Sequence, residues 1–157
     1  MAKNLTPDKW AEMADLILVI AREIQFRGYS DERAQALTPS EGMVMRHTQA
    51  EPDTTFPRLV EATGLLRTNL STVLRGLERK GLIERRITPE DRRVTTVHLT
   101  ERGRENYEIV RREWGAELAR AAELASATGP TSATMKELEH IKDGLVALRP
   151  TRGSAQD

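Results

Sequence analysis

Residues 64–103 read GLLRTNLSTVLRGLERKGLIERRITPEDRRVTTVHLTERG, and a helical pattern gives way there to a strand pattern. Leu70, Val73, Leu74 and Leu77 recur at the three- and four-residue steps that place apolar side chains on one helical face, which predicts that this face is buried. The opposite face collects Arg67, Thr68, Asn69, Ser71, Thr72, Arg75 and Arg79, all donors or cations. Glu78, near the end, is the helix's only acid. Gly81 suits the left-handed turn that closes a helix, and residues 82–87 and 94–99 read as two short strands. Thr88, Pro89, Glu90 and Asp91 supply turn chemistry between the strands, with Arg92 and Arg93 at the far lip. A donor-rich helix fits a major groove, and an arginine-tipped hairpin beside it reaches phosphates or a minor groove.

Three short motifs follow one another here: K-G-L-I-x-R at 80–85, D-x-R at 91–93 and L-T-x-x-G at 99–103. In this order and spacing, with helical flanks that also fit, the chain resembles the MarR family of bacterial winged helix-turn-helix transcriptional regulators over nearly its whole length. The resemblance implies a homodimer in which each protomer lays its recognition helix, residues 66–80, into a major groove. It also implies that Arg93 enters the neighbouring minor groove with Asp91 orienting it. Thr68, Asn69 and Thr72 match the positions from which family members reach base edges. Two residues depart from the family pattern. Leu66 stands where a serine or aspartate usually caps the recognition helix, and Thr72 replaces what is often an arginine, so the operator sequence does not carry over from relatives.

Composition limits the reading. A chain of 157 residues is one domain's worth and can bury a real core. It has no cysteine, which excludes disulfides, thiol redox sensing and thiolate metal sites. There is no signal-peptide pattern, and no apolar run approaches the ~20 residues of a membrane span, so a cytoplasmic protein is expected. Formal net charge is zero, which by itself argues against a nucleic-acid partner. Its distribution reverses that argument: residues 1–55, 56–104 and 105–157 carry net −3, +5 and −2, so the positive charge is concentrated where the recognition pattern lies.

Around that centre the sequence predicts helices. Thr6 and Pro7 start the first, striped by Trp10, Met13, Ile17, Ile20 and Ile24 and ending near Gly28. Thr38 and Glu41 have capping-box spacing with Pro39 at the first helical position, and that helix runs through Met43, Val44 and His47 to a stop before Pro52. Pro57, Leu59 and Val60 mark a short helix closed by Gly64. After the hairpin, Thr100 opens a long helix with Tyr107, Val110, Trp114, Leu118, Ala121 and Ala125 on one face, ended by Gly129 and Pro130. A last helix carries Met135, Leu138, Ile141, Leu145 and Leu148. The expected fold is therefore mainly α with a small β-hairpin wing. A winged helix-turn-helix at 37–104 is flanked by dimerisation helices in 1–30 and 105–149, and 150–157 is expected to be a disordered tail. The amphipathic end helices need a partner to cover their stripes, and in the resembling family they interleave with those of a second subunit.

Each candidate residue also has a plainer reading. Arg67, Thr68, Asn69, Ser71, Thr72 and Arg75 equally describe a solvated helix face; the wing motif and the local charge favour double-stranded DNA. Arg85, Arg86 and Arg92 are most simply phosphate contacts, which position a protein without specifying sequence. Arg86 has a competing use as a partner of Glu84 or Glu90, and Arg93 as the partner of Asp91 in a turn. His47, His98 and His140 lie at no spacing that makes a metal pair, so neither a metal nor any other cofactor is expected. Family resemblance places an effector cleft between the dimer helices and the winged helix. Trp10, Met13, Ile17, Met43, His47, Tyr107 and Trp114 would line it for a small aromatic or anionic effector, or else simply pack the dimer region. No nucleophile-and-base pair or glycine-rich phosphate loop stands out, so a binding protein is expected and not an enzyme. The function expected is a homodimeric regulator, a repressor released by a ligand. The alternatives are a winged-helix protein-interaction module and a ligand-independent architectural DNA binder.

Overall fold

The structure, a computed structural model, describes residues 6–26, 28–88 and 93–150. The turn residues Pro89, Glu90, Asp91 and Arg92 and the expected tail beyond Pro150 lie outside the described residues. In chain order the elements are α1 (Pro7–Phe26), α2 (Pro39–Ala50), β1 (Thr54–Thr55), α3 (Phe56–Thr63), α4 (Arg67–Arg79), β2 (Ile83–Ile87), β3 (Thr95–Leu99), α5 (Glu101–Leu124) and α6 (Ser132–Ala147). The chain divides into two compact units, Met1–Leu118 and Ala119–Asp157.

Local chemistry sets the boundaries in the first unit. Thr38 and Glu41 form the capping box that their spacing predicts: Glu41 N–H donates to Thr38 Oγ1 at 3.2 Å and Thr38 N–H to Glu41 Oε2 at 2.8 Å. Thr55 caps α3, and Gly64 ends it at φ 69°. At the end of α4 the Gly81 N–H donates to Glu78 O and the Leu82 N–H to Leu77 O, a Schellman closure with Gly81 at φ 68°. The core joins Val44 and Met45 of α2, Leu59 of α3, Leu70, Leu74 and Leu77 of α4, Ile83, Val97 and Leu99 of the sheet, and Tyr107 of α5. Val73 packs at its edge, half-buried. Each leucine withdrawn from water here contributes about 1.5–3 kcal/mol.

The strands form one antiparallel sheet in the order β1-β3-β2, with Arg85 opposite Val97 and Thr54 opposite the same valine from the other side. The hairpin expected from sequence is thus the larger part of a three-stranded sheet, and β1 is added to it. Two residues, Thr54 and Thr55, give no alternation to read. The L-T-x-x-G motif explains itself in space. Thr100 Oγ1 accepts from Gly103 N–H at 2.9 Å and donates to Gly81 O at 2.7 Å. A Cβ on Gly103 would lie 1.9 Å from Leu82 O, so only glycine lets α5 pass this close to the wing.

Helix α5 ends at Leu124, five residues before the Gly129 expected to end it. Ser126, at φ 54°, closes it: its N–H donates to Glu123 O, and the Ala127 N–H to Ala122 O. Helix α1 buries none of its residues; Leu16, Leu18, Val19, Ile20 and Phe26 lie exposed. Taken by itself, α6 is likewise unburied, with Met135, Leu138, Leu145 and Leu148 exposed. Among the described residues no helix is long and apolar enough to cross a membrane.

Candidate nucleic-acid interface

Burial of Leu70, Leu74 and Leu77 fixes the rotation of α4 and turns Arg67, Thr68, Asn69, Thr72 and Arg75 outward, with Ser71 half-buried at the margin. Leu66 offers no side-chain cap, so the first-turn amides of α4 have no side-chain acceptor from that position. The hydroxyl hydrogens are used within the helix: Ser71 Oγ donates to Arg67 O at 2.9 Å and Thr72 Oγ1 to Thr68 O at 3.2 Å. Arg75 Nη2 donates to Thr72 Oγ1 at 3.3 Å, and the Arg67 guanidinium lies 5.8 Å from the centre of the Phe56 ring. An open groove of about 420 Å³ runs along this face between Thr72, Arg75, Glu78 and Arg79.

The wing arginines differ from one another. Arg85 is held by Glu78, Nε to Oε1 at 2.9 Å and Nη2 to Oε2 at 3.2 Å. Arg86 pairs with Glu84, the first of the two partners its sequence offered. Arg93 is exposed at the start of the returning strand. Asp91 and Arg92 fall outside the described residues, so the expected pairing of Asp91 with Arg93 is not placed.

Behind the exposed face, two contacts that the sequence did not disclose set where α4 sits. Lys80 Nζ donates to Glu41 Oε2 at 2.7 Å and to Ala36 O at 3.0 Å. A Cβ on Gly76 would lie 3.1 Å from Glu41 Oε1, so α2 and α4 cross closely at this glycine. The capping-box spacing announced Glu41, but nothing in the linear pattern linked it to a lysine thirty-nine residues on.

The residues expected to line an effector cleft are spread over several environments. Trp10 is 49% exposed and Ile17 42% exposed on α1, whereas Met13 and Met43 are half-buried. His47 Nε2 lies 3.3 Å from both Thr54 Oγ1 and Glu51 Oε2. Tyr107 belongs to the core, with the Arg111 guanidinium 5.7 Å from its ring centre. Trp114 packs toward Gly42 of α2, and its Nε1 is buried without a hydrogen bond. Burial pushes the nearby Tyr29 hydroxyl up from its ordinary pKa, against the pull of the Leu37 backbone and of the Trp114 indole, which stands beside it outside bonding geometry. Among the described residues no cluster of three or more His, Cys, Asp or Glu side chains could hold a metal.

A scaffold helix, a second helix with its donors outward and an arginine-bearing hairpin behind it define a winged helix-turn-helix, a fold built to read duplex DNA. Residues 37–94 match the model of the MarR family. No curated protein sequence matches the chain significantly. Among solved structures it is similar to the transcriptional regulator PA4135, at 20% identity and a TM-score of 0.66 over 94% of this chain and all of that one. It is similar to NadR in complex with 4-hydroxyphenylacetate, at 19% identity and a TM-score of 0.64 over 94% of this chain and 97% of NadR. It is also similar to Streptococcus pneumoniae FabT in complex with DNA, at 23% identity and a TM-score of 0.58 over 90% of this chain and 91% of FabT. At these identities the likeness is one of fold.

Proposed function

We propose that the protein is a homodimeric repressor that binds a pseudo-palindromic operator and is released from it by a small aromatic or anionic ligand. The carrying observation is the outer face of α4, where Arg67, Thr68, Asn69, Thr72 and Arg75 stand exposed in the one segment of the chain with excess positive charge. These residues and Ser71 face the major groove, and the uncapped N-terminus of α4 points its amides at a phosphate. Arg93 enters the minor groove with Asp91 orienting it, and Arg86 and Arg92 meet the backbone.

Residues 1–30 and 105–149 form the dimerisation region and 37–104 the DNA-binding region. The uncovered apolar side chains of α1 and α6 support this division, because a surface of that kind marks an interface. Two recognition helices then enter major grooves about one helical turn apart, roughly 10 base pairs. The ligand half rests on NadR, solved with an aromatic acid, and on Trp114, whose unsatisfied indole offers a donor beside α2. A ligand that prefers one arrangement of the dimer shifts operator affinity without touching DNA. Such a regulator works in the cytoplasm.

Selection of bound fragments from random duplex DNA tests the reading as a whole. Enrichment of a two-fold symmetric site with half-sites one turn apart is expected. Weak, sequence-blind binding that vanishes near physiological salt would point instead to the interaction module.

A further inference from the structure

Glu78 is the only acid in α4, and it lines the same groove as Thr72, Arg75 and Arg79. A carboxylate on a surface that faces phosphates is unfavourable unless it has a task, and its partner shows one. Arg85 reaches across from β2 and presents two parallel N–H groups to the two Glu78 oxygens, at 2.9 and 3.2 Å. This is the fork-on-carboxylate geometry that makes arginine pairs strong. The side chains are only 39% and 34% exposed, so water screens the pair less than it screens a fully solvated one. The backbone between them is fixed as well: the Gly81 closure sets the angle from α4 to β2, and Thr100 and Gly103 pin it from behind.

Resting on the DNA-binding reading, we propose that Glu78 withholds Arg85 from the DNA backbone and thereby limits sequence-independent affinity. A guanidinium neutralised in this way releases no counterion from DNA, because it already has its anion. Discrimination is left to the donors on α4 and to the wing tip. Arg85, which the sequence suggests as a phosphate contact, is then a cation held in reserve by the acid beside it.

The test titrates wild type, Glu78→Gln, Arg85→Ala and the double variant against a labelled random-sequence duplex through a salt series. Arg85→Ala leaves the Glu78 carboxylate unpaired before the phosphates, so weaker binding and a flatter slope of log affinity against log salt are expected of it. Glu78→Gln frees the cation, so it is expected to tighten binding severalfold at low salt and to steepen that slope by about 0.9 per engaged protomer, one phosphate contact each. The double variant is expected to return to the wild-type value. A double variant with a flatter slope than wild type, or no gain in Glu78→Gln, overturns the proposal while leaving DNA binding intact. Should Glu78→Gln fail to fold, Glu78→Ala and its double variant with Arg85→Ala decide by the same slopes. If the wild type binds no duplex at any salt, the DNA-binding reading falls and takes the proposal with it.

Discussion

Glu41 Oε2 accepts from Thr38 N–H at 2.8 Å and from Lys80 Nζ at 2.7 Å, so one carboxylate oxygen caps α2 and anchors the last turn of the recognition helix. Glu41 is 5% exposed, and a buried carboxylate persists only when its lone pairs are matched. Glu41→Ala removes the cap partner and the anchor together and should cost about 2–3 kcal/mol. Glu41→Gln keeps an acceptor for Thr38 N–H but loses the charge, and about 1 kcal/mol is expected. Urea unfolding measures both, and unchanged stability in Glu41→Gln would show that the charge has no part in holding α4.

Gly103 and Gly115 make a matched pair on α5. A Cβ at 103 would lie 1.9 Å from a backbone carbonyl, whereas one at 115 meets nothing within 4 Å. Gly103→Ala must push α5 off the wing and should cost about 3 kcal/mol or more. Gly115→Ala only relieves a flexible helix position and should gain about 0.5–1 kcal/mol. Thermal melts of the two variants should move in opposite directions.

The architecture was legible wherever one local interaction decides a boundary. Thr38 with Glu41, Gly64 and Gly81 announce helix ends because a cap or a left-handed turn is made by neighbours in sequence. The end of α5 departs from expectation for the same reason: Gly129 does adopt the left-handed conformation, at φ 70°, but Ser126 adopts it first, at φ 54°, and closes the helix. At the interface the outward set on α4 followed from helical period alone. The bond of Lys80 to Glu41 and the grip of Glu78 on Arg85 did not, because each joins residues that only the tertiary path of the chain brings together.

The loop between α1 and α2 is pinned to α5 by an acid-sensitive bond. Ser30 N–H and Oγ both donate to the Glu113 carboxylate, at 3.0 Å and at 2.8 and 3.0 Å. The backbone bond first, and then the hydroxyl, hold its pKa below the ordinary 4.5, against desolvation and the like charge of Asp31. A carboxylate with a depressed folded pKa stabilises fully above its unfolded value and ceases to do so as pH falls through the folded one. Hydrogen exchange at the Ser30 amide, corrected for intrinsic rate, should therefore be flat from neutral pH to about 4.5 and rise below it. Glu113→Gln should abolish the transition, and its survival in that variant would assign the effect to another group.

Ile20 is 49% exposed in a helix that buries nothing of its own. If α1 meets a second subunit, a charge at this position has to be desolvated against apolar neighbours. Ile20→Glu should then dissociate the dimer at concentrations where the wild type sediments as two chains, and operator affinity should fall with it. The circular dichroism of the winged helix should hold, since its core lies elsewhere. A variant that remains dimeric would move the interface away from α1.

If the wing enters a minor groove as proposed, Arg93 is the residue that reaches it. Arg93 stands exposed in the turn just before β3. An arginine inserted in a narrow minor groove gains from the enhanced negative potential there, and its loss should cost about 1–3 kcal/mol of operator affinity. Arg93→Ala should therefore bind roughly tenfold or more weakly, with unchanged dimer and melting temperature, since no core side chain is touched. Arg93→Lys separates charge from shape: the shorter, more strongly hydrated ammonium should recover random-duplex affinity but only part of the operator affinity. Equal recovery on both would mean that Arg93 meets a phosphate, and unchanged operator binding by Arg93→Ala would remove the wing from the mechanism.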